Sequence, residues 1–290
     1  MRALIFGCGY LGRRVAEAWV HAGHEVFGVT RSGQNAERFR QAKILPFIAD
    51  ICDKPSLNDL PAADLVLHSV GFDRSAGISH ADVTYGGMAN ILAALSDRCS
   101  RFVFTSSTSV YGQSGGEWVH EGSRCEPTQP GGQLCLSAEN LVRERFPDSG
   151  PTAVNILRLA GIYGPDRLLS RVESLQARVA LAGRSDSWLN LIHVDDAAGA
   201  VLACAQPSAP RGTYNVVDDR PIERGEYFRC LAELVGAPTP VFDATQPSAR
   251  GSGGLNKRCS NGKLREDLVW TPVYPSIDTG LPAAIRSSAK

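Results

Sequence analysis

The sequence predicts an α/β chain in which a doubly wound parallel sheet is followed by a small C-terminal lobe. Three observations lead there. A short apolar run near the start breaks into a glycine-rich turn and reopens as an amphipathic helix. Strand-like and helix-like segments then alternate through the first two-thirds. From about Pro165 the alternation gives way to Gly/Pro punctuation, a basic run over 167–184 and short helices. A chain of 290 residues can bury one large core with a smaller lobe upon it. The expected division places residues 1–164 in the core, with 191–218 returning to it, and 165–190 with 219–290 in the lobe.

In chain order, the first strand covers residues 3–6 and runs directly into Gly7-Cys8-Gly9-Tyr10-Leu11-Gly12. In such a Gly-x-Gly-x-x-Gly turn the first glycine turns sharply and the second lets the backbone approach a pyrophosphate. The third lets the helix pack on the strand, and the helix N-terminus offers free N–H groups to the phosphates. Glycine triplets of this spacing also occur in ordinary loops, so context decides. Leu11, Val15, Ala18, Trp19 and Ala22 recur at helical spacing, Gly23 supplies a stop, and residues 25–29 read as the next strand. A dinucleotide-binding unit is expected.

That second strand ends in Thr30-Arg31-Ser32. An acidic residue here would accept the ribose hydroxyls of NAD, whereas a guanidinium suits the 2′-phosphate of NADP, and Ser32 adds a donor. NADP is favoured, with NAD the alternative; the plainer reading of Arg31 is an exposed side chain at a strand end. Further strands are expected at 44–48, 65–68, 101–105 and 153–158. Helices are expected over 81–95, with Val83, Ile91, Leu92 and Leu95 facing inward, and over 138–145. Residues 239–254, rich in Pro, Ser, Thr and Gly, read as a surface loop.

Lys plus Arg and Asp plus Glu number 30 each, so no global field favours nucleic acid or an anionic membrane. No apolar run approaches the length of a membrane span. The eight cysteines are scattered without Cys-x-x-Cys or any metal-ligand spacing, and reduced thiols in a cytoplasmic protein are expected. The expected partner is a small molecule held in a pocket.

Three longer stretches carry a resemblance. They are Phe104-Thr105-Ser106-Ser107-Thr108-Ser109-Val110-Tyr111-Gly112, Leu157-Arg158-Leu159-Ala160-Gly161-Ile162-Tyr163-Gly164-Pro165 and Ile192-His193-Val194-Asp195-Asp196, followed by Gly212-Thr213-Tyr214-Asn215-Val216-Val217-Asp218-Asp219 and Lys257-Arg258-Cys259-Ser260-Asn261. Over nearly its whole length the chain resembles the extended short-chain dehydrogenase/reductase family, the NAD-dependent epimerase/dehydratase group. Typical members have Gly-x-x-Gly-x-x-Gly, so it looks most like an atypical subgroup.

The resemblance implies a Rossmann core and a set of cofactor contacts. Gly7, Cys8, Gly9, Tyr10, Leu11 and Gly12 would hold the pyrophosphate, Arg31 and Ser32 the 2′-phosphate, and Asp50 with Ile51 the adenine. Ser69, Val70 and Gly71 would line the ribose side, Thr105 and Ser106 would lie deeper, and Ala160, Gly161 and Ile162 would approach the nicotinamide. Asp50 reads equally well as a turn or helix cap before Asp53. Dimerisation is common in the family.

The departure from the pattern matters more. Family members carry a Tyr-x-x-x-Lys pair on the helix after the Ser/Thr strand, where lysine lowers the pKa of a tyrosine that otherwise titrates near ~10. Alignment on Glu139 puts Gly131 and Cys135 at those two positions. Of the usual triad Ser107 is left, able to hydrogen-bond a substrate oxygen. Tyr111 and Tyr163 are substitute acid/bases by type, although both also read as packing residues, and His120 and Glu117 lie on a loop that can swing inward. Cys135 reads as a small buried hydrophobe. His193-Val194-Asp195-Asp196 reads as a helix start. Where relatives that handle nucleotide sugars have an arginine, this chain has Trp188-Leu189-Asn190-Leu191, which argues against such a substrate. Two functions follow: an NAD(P)-binding oxidoreductase or epimerase/dehydratase-like protein acting on a small carbonyl or alcohol, or a catalytically silent NADP(H)-binding sensor or scaffold.

Overall fold

The computed structural model describes residues 1–95, 99–246 and 255–288. The six short apolar runs become strands and a seventh joins them: β1 (Arg2–Phe6), β2 (Glu25–Thr30), β3 (Leu45–Ile48), β4 (Leu65–His68), β5 (Arg101–Ser107), β6 (Ala153–Leu159) and β7 (Gly212–Val216). They pair in parallel, side by side in the order β7-β6-β5-β4-β1-β2-β3. The winding reverses at β1, and a sheet that reverses opens a crevice beyond the carboxyl ends of the strands at that point.

The helices are α1 (Gly12–His21), α2 (Gly33–Gln41), α3 (Gly87–Ala94), α4 (Pro130–Arg145), α5 (Leu169–Gln176), α6 (Val194–Cys204), α7 (Arg224–Val235), α8 (Gly262–Leu268) and α9 (Ile277–Ser288). Because successive side chains of a strand point to opposite faces, the sheet feeds two apolar layers. Ile5, Leu67, Val103 and Leu157 pack with Val15 and Trp19 of α1 and Val201 of α6. Leu4, Phe6, Phe102 and Ile156 pack with Met88 and Ile91 of α3 and Val142 of α4. A third cluster joins Leu175 of α5, Tyr227 and Leu231 of α7 and Leu281 of α9.

Several boundaries differ from expectation. α4 begins at Pro130, eight residues before position 138, since Pro at a helix start presets φ while the two glycines behind it read as breakers. A side chain at Gly132 would collide with the Ser109 carbonyl, so glycine lets α4 seat on the turn after β5. The segment over 81–95 opens as a π turn, Asp82–Gly86, before α3, with Ile91, Leu92 and Leu95 buried as their spacing implies. β7 is a seventh strand that the apolar pattern did not mark, because Thr213 and Asn215 interrupt it. In the expected loop over 239–254, Phe242–Asp243 pairs with Leu181–Ala182, and residues 247–254 lie outside the described residues.

A buried ion pair ties these elements together. Glu139 of α4 accepts from Arg158 of β6 at both oxygens (3.0 and 2.8 Å), from Ser106 Oγ of β5 (2.6 Å) and from Arg143 (2.9 Å). Arg158 Nη1 also donates to the Tyr111 hydroxyl (2.8 Å), which donates to Asn215 Oδ1 of β7 (2.9 Å). Burial alone would push the Glu139 carboxyl up. The hydrogen bonds and charge of Arg158, with Ser106 and Arg143, outweigh it and hold the group below its usual range.

Glu139→Ala strands the Arg158 charge in the interior and is expected to destabilise the fold by about 3–5 kcal/mol, read as a lower urea midpoint at unchanged slope. Since the folded pKa is depressed, the Glu139 contribution is complete above the ordinary carboxylate range and is lost as pH falls through the folded value. The variant should therefore lose less stability than the native protein on acidification. Equal midpoints at neutral pH would mean the pair does not hold α4.

Candidate functional site

A cavity of about 680 Å³ lies along the carboxyl edge of β1, β2, β4, β5 and β6. Its wall includes Gly7, Cys8, Gly9, Tyr10 and Leu11 after β1, Arg31 after β2, and Asp50 and Ile51 after β3. Ser69, Val70 and Gly71 after β4, Thr105, Ser106 and Ser107 at the end of β5, and Ala160 and Ile162 after β6 complete this set. Gly12, Ser32, Gly161, Tyr111 and Tyr163 are not in the wall.

The three glycines of the turn divide by geometry. Gly7 has φ +84°, and a Cβ there would strike the Ser69 carbonyl oxygen at the end of β4. At Gly12 a Cβ would strike the Gly7 carbonyl oxygen. A Cβ at Gly9, by contrast, meets nothing within 4 Å. Two of the glycines therefore close the turn, and the third leaves open space in the cavity wall. No side chain caps α1 among the described residues, so its N-terminus faces this space with only backbone donors. Burial pushes the Cys8 thiol up to about 12, so it lines the turn in neutral form.

At the outer end, Arg31 Nη1 lies 3.7 Å from Asp50 Oδ2, both side chains partly exposed. Asp50 Oδ1 accepts from Cys52 N (2.9 Å), so the turn reading of Asp50 and its place in the wall hold together. Ser32 lies outside the wall, and its Oγ caps α2 by accepting from Asn35 N at 3.3 Å, with its proton left to donate. At the inner end the Thr105 hydroxyl donates to the His68 carbonyl (3.2 Å), and that of Ser106 is committed to Glu139. Ser107 Oγ accepts from Ser109 N (3.1 Å), which fixes the oxygen at the wall and leaves its proton to donate.

Tyr111 and Tyr163 are corrected. Both are fully buried. The Tyr111 hydroxyl is used by Arg158 and Asn215, and burial pushes it up to about 12 despite the adjacent guanidinium. The Tyr163 hydroxyl abuts Gly280 of α9, and burial, with Asp218 and Asp196 nearby, pushes its pKa up. Neither phenol reaches the cavity. Gly161 pairs with Leu191 in a short parallel ladder outside the wall. His120 Nδ1 accepts from Gly122 N, and the Glu117 carboxylate from Gly115 N, both away from the cavity. His193 caps α6, whose Asp195 pairs with Arg14 of α1 at 2.8 Å.

Sequence reasoning missed Arg167 as a wall residue. Its guanidinium sits 4.5 Å over the Tyr10 ring, with that of Arg14 at the same distance from the ring centre. The Tyr10 hydroxyl donates to Pro165 O (2.8 Å). The signal was present in the basic run that follows Gly164-Pro165, where Arg167 had no assigned role. Among the described residues no group of three or more His, Cys, Asp or Glu is placed to hold a metal, and no helix is long and apolar enough to cross a membrane.

A reversing parallel sheet with a glycine turn at the switch point and a cleft over its carboxyl edge defines a Rossmann-type α/β protein. The pattern of the NAD dependent epimerase/dehydratase family matches residues 3–216, and the chain belongs to that family. It is similar to Protein YeeZ of Escherichia coli K12, 29% identical with 94% of this chain and 96% of that one covered. A Streptomyces 3-diazoavenalumate denitrifying reductase is 26% identical, over 97% of this chain and 99% of that protein. A conserved protein of unknown function from Silicibacter pomeroyi has the same fold, with TM-score 0.79, 27% identity and coverage of 100% and 99%.

Gly7→Ala forces a Cβ into the Ser69 backbone at a left-handed φ and is expected to cost about 1–3 kcal/mol of stability. Gly9→Ala should melt with the native protein. Thermal denaturation of the pair checks this, and a destabilised Gly9→Ala would show that the open space is needed by the fold itself.

Proposed function

We propose that the cavity binds NADP(H) and that the protein is an oxidoreductase, or epimerase/dehydratase-like enzyme, acting on a small carbonyl or alcohol. One observation carries the reading. A single cavity runs from the Arg31 guanidinium, past the open space at Gly9, to the Ser107 hydroxyl. Gly9 and the uncapped start of α1 suit a pyrophosphate, and Arg31 suits a 2′-phosphate. The bound nicotinamide supplies a hydride donor or acceptor. The chain's own part is to hold it, to donate from Ser107 to a substrate oxygen, and to set the substrate in place. The core of residues 1–164 with 191–218 carries the cofactor side in this reading, and the lobe of 165–190 with 219–290 the substrate side. The Streptomyces relative is a denitrifying reductase, which supports the reductive side of this reading.

The second reading is a cofactor-binding sensor or scaffold without turnover. It is favoured by Gly131 and Cys135 on α4, where the tyrosine and lysine of the resembled pattern would stand, and by the burial of Tyr111 and Tyr163 away from the cavity.

NADPH should bind more tightly than NADH. A hydrogen bond to a charged group contributes about 1.5–3 kcal/mol, and Asp50 already offsets part of the Arg31 charge, so calorimetry should give a preference of roughly tenfold. Arg31→Ala should erase the preference, Asp50→Asn should widen it, and Gly9→Val should remove binding while the sheet stays folded. Equal affinities in the native protein would remove Arg31 from the site.

Cofactor oxidation over a panel of small carbonyl compounds separates the two functions. Turnover that falls steeply in Ser107→Ala supports the enzyme. Binding without turnover on any compound supports the sensor, and brisk turnover indifferent to Ser107→Ala would displace Ser107 from its role.

A further inference from the structure

Building on the oxidoreductase reading, we propose that His80 is the general acid of carbonyl reduction, and the general base of the reverse reaction. The wall segment between β4 and α3 carries it. Phe72, Asp73 and Ala76 before it and Val83 after it all line the cavity, and the His80 ring lies stacked on Phe72 with centroids 4.2 Å apart and planes 16° from parallel. On its other side stands Gly131 in the first turn of α4, where an added Cβ would lie 3.3 Å from His80 Cε1. A larger residue at 131 would crowd the imidazole, so the glycine makes room for the ring. The same helix start seats on the Ser109 carbonyl, two residues beyond Ser107.

His80 is not itself in the lining but stands directly behind it against Phe72, and the titratable groups that are in the lining do not fit the task. Burial raises the Cys8 and Cys52 thiols, and hydrogen bonds from Ser75 hold Asp73 low. Burial also raises the Tyr10 phenol to about 12, and its hydroxyl is given to Pro165 O. Of the remaining histidines, burial lowers His68 to about 4, His193 caps α6, His120 binds its own loop, and His21 and His24 lie between the end of α1 and the start of β2, at the edge of the sheet opposite the cavity. Among the described residues His80 makes no hydrogen bond or ion pair, so its nitrogens are free to exchange protons. The groups facing it are Phe72 and Arg74 from its own loop and Gly131 from α4. Partial burial, then the Arg74 charge, holds its pKa below the ordinary histidine value.

In the reduction, the carbonyl carbon receives two electrons as hydride from the dihydronicotinamide, and the C=O π pair becomes the lone pair on oxygen that takes the His80 proton. The nicotinamide is left oxidised, the product is an alcohol, and neutral His80 recovers a proton from solvent.

The first test needs no substrate. The His80 resonance, assigned by its loss in His80→Gln, is titrated by NMR with saturating NADPH and then NADP⁺. The added positive charge of the oxidised ring disfavours a nearby imidazolium, so the midpoint should be lower with NADP⁺. Coincident midpoints overturn the proposal even where both cofactors bind. Absence of binding overturns the oxidoreductase reading and this proposal with it. In the second test, His80→Gln should slow carbonyl turnover about 10²–10⁴-fold, abolish one limb of the pH profile and leave cofactor affinity unchanged. Undiminished turnover, or a loss of cofactor binding in the variant, overturns it.

Discussion

The structure turns on the carboxylate of Glu139, buried without access to water and answered by donors from three elements of the core. An ion pair in such a place is not itself a source of stability, because desolvating both charges can cost more than their attraction returns. What it supplies is a unique arrangement. With Ser106, Arg158, Tyr111 and Asn215 in one chain of hydrogen bonds, α4 has one seat on the sheet, and β5, β6 and β7 are held in register at their carboxyl ends. The cavity floor is the neighbouring layer of the same strands. Ser106 faces the knot and Ser107, one residue on, has the opposite sidedness. The alternation of a strand thus turns the Ser106 hydroxyl into the knot and leaves the Ser107 proton free at the cavity wall.

How much of this was legible in the sequence depends on the range of the interaction. The glycine turn, α1 and six of the seven strands were legible because apolar period and turn chemistry are local. Gly23 stops α1 with φ +79°, as its position implied. The site residues with side chains committed elsewhere were not. Tyr111 follows a recognisable strand, but its partners are 47 and 104 residues away. Nothing near Ser106 announces Glu139, 33 residues on. Tyr163 looks like an available phenol until α9, over a hundred residues later, closes upon it. α4 was misjudged at its start for a different reason. Pro130-Gly131-Gly132 reads as a break by propensity, and tertiary seating overrides propensity there.

The outer end of the cavity has its own electrostatics. Arg31 and Asp50 stand within ion-pair distance, and Asp73 is near enough for its carboxyl to feel the guanidinium. An exposed pair of this kind contributes about 0–1 kcal/mol, so it neither stabilises the fold much nor immobilises the arginine. Any anion approaching Arg31 must displace or share it with a resident carboxylate. Ser32, occupied with starting α2, adds firmness to the strand end.

Tyr10 sits in the glycine turn, yet its hydroxyl is anchored to Pro165 and its ring lies between Arg14 of α1 and Arg167 of the segment that leads into α5. The aromatic ring is therefore a rivet through two plates of the molecule. Moving the turn away from the entrance to α5 would break the Pro165 bond and the Arg167 contact together. The place of the glycine turn and that of the segment opening α5 are thus set by the same phenol.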